Sequence, residues 1–123
     1  MNDSGVAVCD ILERFFIGID QLLVLVDDIH LDVGRMRFRR SGSDGGHNGL
    51  SSVISELADE GFARVRLGVG QAPQGVSQIH HVLGRFMADE ISLVNEMIER
   101  SAEAVRTWCG DGVENGMNRF NNR

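Results

Sequence analysis

Lysine is absent from this 123-residue chain; all twelve basic residues are arginine, set against eighteen carboxylates, for a net charge of −6. An acidic balance of this size argues against a general nucleic-acid binder. Cysteine is scarce. Cys9 and Cys109 are too few for a disulfide framework and lack the spacing of metal ligands. Both fall in apolar helical patterns, so buried thiols are expected. No apolar run approaches the length of a membrane span. The first residues lack the basic segment and apolar stretch of a secretory signal, which makes a cytoplasmic protein the default expectation. Proline occurs once, at Pro73, and there is no internal repeat, linker or low-complexity tract. With 42% hydrophobic and 24% charged residues, the composition is that of a folded domain, and the length suits one modest core.

Residues 3–16 carry Val8, Ile11, Leu12 and Phe15 at helical spacing, with Asp3 or Ser4 available as a cap. Leu22–Val26 is wholly apolar, ends in Asp27-Asp28, and reads as a strand buried on both faces. After Gly34, Met36 and Phe38 alternate with Arg35, Arg37 and Arg39, a strand with one arginine face. In His47–Leu57, the residues Leu50, Val53, Ile54 and Leu57 share a helical face. Phe62–Val69 alternates again, with Arg64 and Arg66 opposite Ala63, Val65, Leu67 and Val69. Residues 76–83 read as a short strand or a turn. Glu90–Cys109 places Ile91, Val94, Ile98, Ala102, Val105 and Trp108 along a long helix, with Gly110 as its expected C-cap, and residues 112–119 allow one more short helix. Interleaved strands and helices make the class α/β. Phe15, Phe16, Phe62 and Trp108 are expected in the core.

The most informative stretch is Asp44-Gly-Gly-His-Asn-Gly-Leu50. Two glycines permit a sharp turn that delivers His47 and Asn48 to the first turn of a helix. A helix N-terminus presents unpaired N–H groups and positive dipole to a phosphate, a carboxylate or a developing oxyanion. Arg35, Arg37, Arg39 and Arg40 lie within six residues just before it. A local basic strip on an acidic protein fits a phosphate-bearing partner. A solvated strand face is the ordinary reading of such a strip, and two arginine faces on strands flanking the Gly-Gly-His-Asn loop tilt it toward phosphate binding. Asp27 at a strand end reads either as a site residue or as the cap of a turn, and Asn48 as a ligand or a plain N-cap. His80-His81 has no partner at metal spacing and reads as surface or site rim.

The ordered series is Met1-Asn2-x-Ser-Gly, Asp27-Asp28, Arg37-x-Arg39, Gly45-Gly46-His47-Asn48-Gly49-Leu50, Arg64-Val-Arg-Leu-Gly-Val-Gly70, Val82-Leu83-Gly84 and Met117-Asn118-x-Phe120-Asn121. This resembles the bacterial peptidyl-tRNA hydrolase family from Met1 to about Asn121. The resemblance implies an α/β single-domain mixed β-sheet flanked by helices. It implies an esterase that frees the peptide from the 3′ end of tRNA in translation, monomeric, with no metal and no other cofactor. In that family Met-Asn-x-Ser-Gly is internal. It follows a segment with the first strand, a Gly-Asn-Pro-Gly loop and a Thr-Arg-His-Asn motif whose histidine is the catalytic base. Residues 1–123 contain none of these. On the resemblance the chain is expected to be one incomplete domain, N-terminally truncated to about the last two thirds.

The same resemblance assigns roles. Asp27 matches the aspartate that orients the family's base. Asn48 and Asn2 match asparagines that hold the peptide and help place water and carbonyl, with Met1 beside Asn2 in the substrate-binding set. His47 matches a histidine lining the site. Arg39 and Arg66 match the positions that clamp a tRNA phosphate, and Arg37 adds to them. Arg35, Arg40 and Arg64 are expected as ordinary surface charge. His30 and Asp32 depart from the usual Asp and Pro of the family's Asp-Asp-x-Asp-Leu-Pro stretch, and Asp3 from a usual leucine. Two alternatives stand beside the hydrolase: a non-catalytic RNA- or partner-binding relative, and an inactive fragment.

Overall fold

The arginine-bearing strand Ala63–Gly68 (β3) is the centre of a three-stranded mixed sheet in the computed structural model, which describes residues 3–71 and 86–121. Leu23–Asp28 (β1) runs parallel to it on one side and Met36–Arg39 (β2) antiparallel on the other. The helices are Ser4–Arg14 (α1), Asn48–Leu57 (α2) and Ile91–Phe120 (α3), with a 3-10 turn at Ile19–Gln21. The α/β class read from the alternating patterns is therefore the observed one. Met1, Asn2, Pro73, the 76–83 segment and His80-His81 lie outside the described residues.

Period-two alternation divides the core. Met36, Phe38, Ala63 and Val65 point to α3, where they meet Ala104 and Phe120. Val26 and Phe62 point the other way and pack with Leu50 and Val53 of α2, joined by Val8 of α1. The apolar face expected for α2 is thus the buried one. Asn121 ends the chain's last turn by pairing with β2. Its Oδ1 accepts from Phe38 N–H at 2.6 Å, and its Nδ2 donates to the Phe38 carbonyl at 2.9 Å.

Several expectations need correction. Arg64 is not surface charge. It is 0% exposed, because β3 is paired on both edges and the backbone of Gly42, Ser43 and Glu60, with the Phe62 ring, encloses the guanidinium. Phe15 and Phe16 are not core: they are 64% and 95% exposed. The reason is that α1 meets α2 through its N-terminal half, where Gly5 lies against the backbone of Ser52, and the helix stops at Arg14. Cys9 is only half-buried and Cys109 is exposed. In β1 only Val26 is buried, and Leu25 stands 40% exposed, because α3 lies over β2 and, less closely, β3.

The long helix also turns a different face inward. Met97, Ser101, Ala104 and Thr107 are buried, while Ile91 and Ile98 are about half exposed. Small side chains allow the helix to sit close on Phe38 and Val65, and that contact outweighs the larger aliphatics on the neighbouring stripe. Ser101 satisfies its hydroxyl by donating to the Ile98 carbonyl at 2.7 Å. Gly110 does not cap the helix. The break is at Gly112 (φ 85°, ψ 176°), a backbone state open to glycine, after which helical structure resumes to Phe120. Neither Asp3 nor Ser4 caps α1 through its side chain; Asp3 occupies the N-cap position without such a bond.

Candidate active site

The segment from β2 to α2 is built as a tight turn. The Asp44 carboxylate accepts from Gly46 N–H at 2.8 Å and the Asp44 carbonyl from His47 N–H at 3.0 Å. Gly45 (φ 58°) and Gly46 (φ 87°) both take left-handed backbone, which explains the glycine pair. The turn sets His47, not Asn48, at the N-cap. The His47 Nδ1 accepts from Leu50 N–H at 3.0 Å, a bond usually made by an oxygen side chain. Asn48 is the first helical residue and is exposed.

The other ring nitrogen lies 2.7 Å from Asp27 Oδ1, at the carboxyl end of β1. A nitrogen that accepts from an amide carries no proton, so the proton of the neutral ring sits on Nε2 and is donated to the Asp27 carboxylate. Both ring nitrogens are therefore committed. Asp27 and His47, twenty residues apart in sequence, form one unit that joins a strand end to a helix start. Crevices at the carboxyl ends of strands are where open α/β sheets place their sites.

Asp28, the next residue, accepts from His30 N–H through Oδ1 at 2.8 Å, and its Oδ2 is 3.7 Å from Arg66 Nη1. Arg66 also donates from Nη2 to the Ser43 carbonyl at 2.8 Å. Of the arginines matched to phosphate binding, Arg39 is exposed, with Nη1 on the Phe38 carbonyl at 3.2 Å. Arg37 is half-buried, with Nη1 on the Met36 carbonyl at 3.0 Å. Register pairs Arg37 with Arg66 and Arg39 with Arg64, so all four leave the same face of the sheet. Arg66 is mostly covered and held by Asp28 and the distant Ser43 carbonyl, whereas Arg39 is exposed and bonds the carbonyl of its own neighbour, Phe38.

The burial of Arg64 is not legible in the sequence. Its alternation with Val65 identified a face but not what lay over it. Burial first, and then the Arg66 charge, pull its guanidinium below the usual value, while Glu60 opposes them. Among the described residues no three His, Cys, Asp or Glu side chains gather where they could hold a metal ion, and no helix is long and apolar enough to cross a membrane.

Comparison with known proteins gives one consistent result. The sequence model of the family described as peptidyl-tRNA hydrolase matches residues 1–123. The peptidyl-tRNA hydrolase of Caldanaerobacter subterraneus subsp. tengcongensis is 45% identical over 121 residues, covering 98% of this chain and 65% of that protein. That of Lachnospira eligens is 41% identical with the same coverage. The crystal structure of peptidyl-tRNA hydrolase from Acinetobacter baumannii is similar with a TM-score of 0.90 at 29% identity, over 99% of this chain and 62% of that one. The chain spans 65% of the length of these two curated relatives.

Proposed function

The chain belongs to the peptidyl-tRNA hydrolase family, and we propose that it takes part in cleaving the ester between a peptide and the 3′ end of tRNA. The observation that carries this reading is the Asp27–His47 hydrogen bond at 2.7 Å, made where the end of β1 meets the start of α2. Ester hydrolysis needs an attacking water, a base for its proton, and donors for the oxyanion that forms. The exposed Asn48 side chain offers both a donor and an acceptor, which suits a peptide group or a positioned water. The positive dipole at the start of α2 suits the developing negative charge.

His47 orients rather than abstracts. Its Nδ1 lone pair is bound to the Leu50 amide and its Nε2 proton faces Asp27, so it has no nitrogen free to take a proton from water. The family motif Thr-Arg-His-Asn, whose histidine is the base, does not occur in residues 1–123. Asp27 has a second carboxylate oxygen with which to hold such an imidazole. Arg39, exposed on the arginine face, supports contact with a tRNA phosphate, and Arg37 and Arg66 lie on the same face. We place Met1 and Asn2 in the substrate set on the sequence match alone.

The test is release of labelled peptide from a peptidyl-tRNA by the chain as it stands. Cleavage above the spontaneous rate that drops in Asn48→Ala supports the reading. The exposed arginine also favours a second one, an RNA-binding relative without catalysis. Tight tRNA binding with cleavage at the spontaneous rate would select that second reading.

A further inference from the structure

Arg64 is the one fully buried arginine among the described residues, and all of its hydrogen bonds go to backbone carbonyls. Nη1 donates to Gly42 O at 2.6 Å and Ser43 O at 3.4 Å. Nη2 donates to Glu60 O at 2.6 Å and Phe62 O at 3.0 Å, and Nε to Phe62 O at 3.3 Å. The guanidinium stacks over the Phe62 ring, 4.3 Å from its centre. Gly42 and Ser43 precede α2, and Glu60 follows it. One planar fork therefore ties the two ends of the β2–α2–β3 connection to each other, and Gly42 N–H reinforces the tie by donating to Glu60 O at 3.3 Å.

The tie leads straight to the site. Arg66, two positions along β3, takes the same Ser43 carbonyl at 2.8 Å. From Ser43 the chain enters the Asp44 turn, whose two hydrogen bonds fix Gly46 and His47. His47 then has to meet Asp27 from the opposite side of β3. A hydrogen bond at 2.7 Å tolerates only a few tenths of an ångström of loop movement. An arginine buried solely for stability is a costly choice, because a desolvated charge needs every donor satisfied. Its placement on the strap before His47 gives that choice a purpose.

We propose that Arg64, seconded by Arg66, is a positioning residue: it holds the 42–46 strap so that His47 Nε2 faces Asp27. Lysine cannot replace it, since a single ammonium cannot bridge Gly42 and Glu60 as a rigid fork does. The consequence for chemistry rests on the proposed hydrolase reading of the Asp27–His47 site, but the readout needs no substrate. An inert hydrolysis assay beside an intact spectroscopic response would sink the hydrolase reading and spare the positioning.

The experiment is NMR on 15N-labelled protein, following the His47 Nε2–H resonance and the Leu50 amide. The wild type should show a ring N–H slowed in exchange by Asp27 and a Leu50 amide protected by Nδ1. In Arg64→Lys the ring N–H should vanish into solvent exchange and Leu50 should lose protection, while amides of β1 and α3 keep their dispersion. A folded Arg64→Lys with both signals unchanged overturns the proposal and leaves Arg64 a purely structural residue. Should Arg64→Lys fail to fold, Arg66→Met decides, since it removes the second hold on Ser43 without touching the buried fork. Loss of the His47 signal supports the proposal, and an unchanged signal overturns it.

Discussion

Asn121 stands beside Phe38 as a one-residue strand, accepting from its amide at 2.6 Å and donating to its carbonyl at 2.9 Å. Eighty-three residues apart, the two close the outer edge of β2 at this position, where an unpaired backbone would otherwise invite another strand. Replacing Asn121 by Ala takes the partner from the Phe38 amide and leaves the Phe38 carbonyl with only the Arg39 guanidinium at 3.2 Å. The expected loss is about 1–3 kcal/mol, the usual cost of stranding partly buried polar groups. The midpoint of urea unfolding checks it.

A second prediction concerns Gly116. A Cβ there would come 2.7 Å from the Phe38 ring, which has no exposed side toward which to move. Gly116→Ala should destabilise by about 1–3 kcal/mol through overpacking, despite alanine's better helix propensity. Thermal unfolding of the variant measures it, and a higher melting temperature would contradict the packing described.

Helix α2 and the two arginine strands were legible because their periods were clean. The buried side of α3 was not, since Ser101 and Thr107 look like surface residues until a close sheet contact selects small side chains. The length of α1 was readable but its packing was not: periodicity named Phe15 as core, yet nothing in the local pattern says that α2 meets only the other half. The Gly-Gly-His-Asn turn was recognisable as a site. Its bond to Asp27 was not, because it depends on strand order, and strand order brings β1 beside β3 rather than β2. Arg64 shows the same gap. Alternation sorts residues by face, whereas burial depends on what the chain later lays across that face.

The arginine face yields a third prediction. Arg39→Ala should weaken tRNA binding and reduce the salt slope by about one, as expected for the loss of one phosphate contact, and leave the His47 resonances unchanged. Arg66→Ala should weaken binding and also disturb His47, because Arg66 holds the Ser43 carbonyl. Titrations at several salt concentrations, paired with NMR, separate the two. Equal affinity in wild type and both variants would return the strip to an ordinary solvated surface.

A fourth prediction follows from exposed apolar surface. Phe15, Phe16 and Leu25 are all open, and among the described residues β1 pairs on one side only, with β3. We propose on this ground that the chain self-associates and melts with poor cooperativity. Sedimentation velocity across a range of concentrations should show growth in size, reduced in Phe16→Ser. A clean monomer with one sharp transition would contradict it.

The decisive measurement is single-turnover release of peptide from peptidyl-tRNA, comparing this chain with the Caldanaerobacter relative. An Asp27–His47 pair with no free imidazole nitrogen should orient without abstracting a proton. Release should therefore exceed the spontaneous rate and fall in Asn48→Ala, yet stay about 10²–10⁴-fold below the relative, the usual worth of a positioned base. Release at the relative's full rate, abolished by His47→Ala, would show His47 acting as the base and would contradict the orienting role.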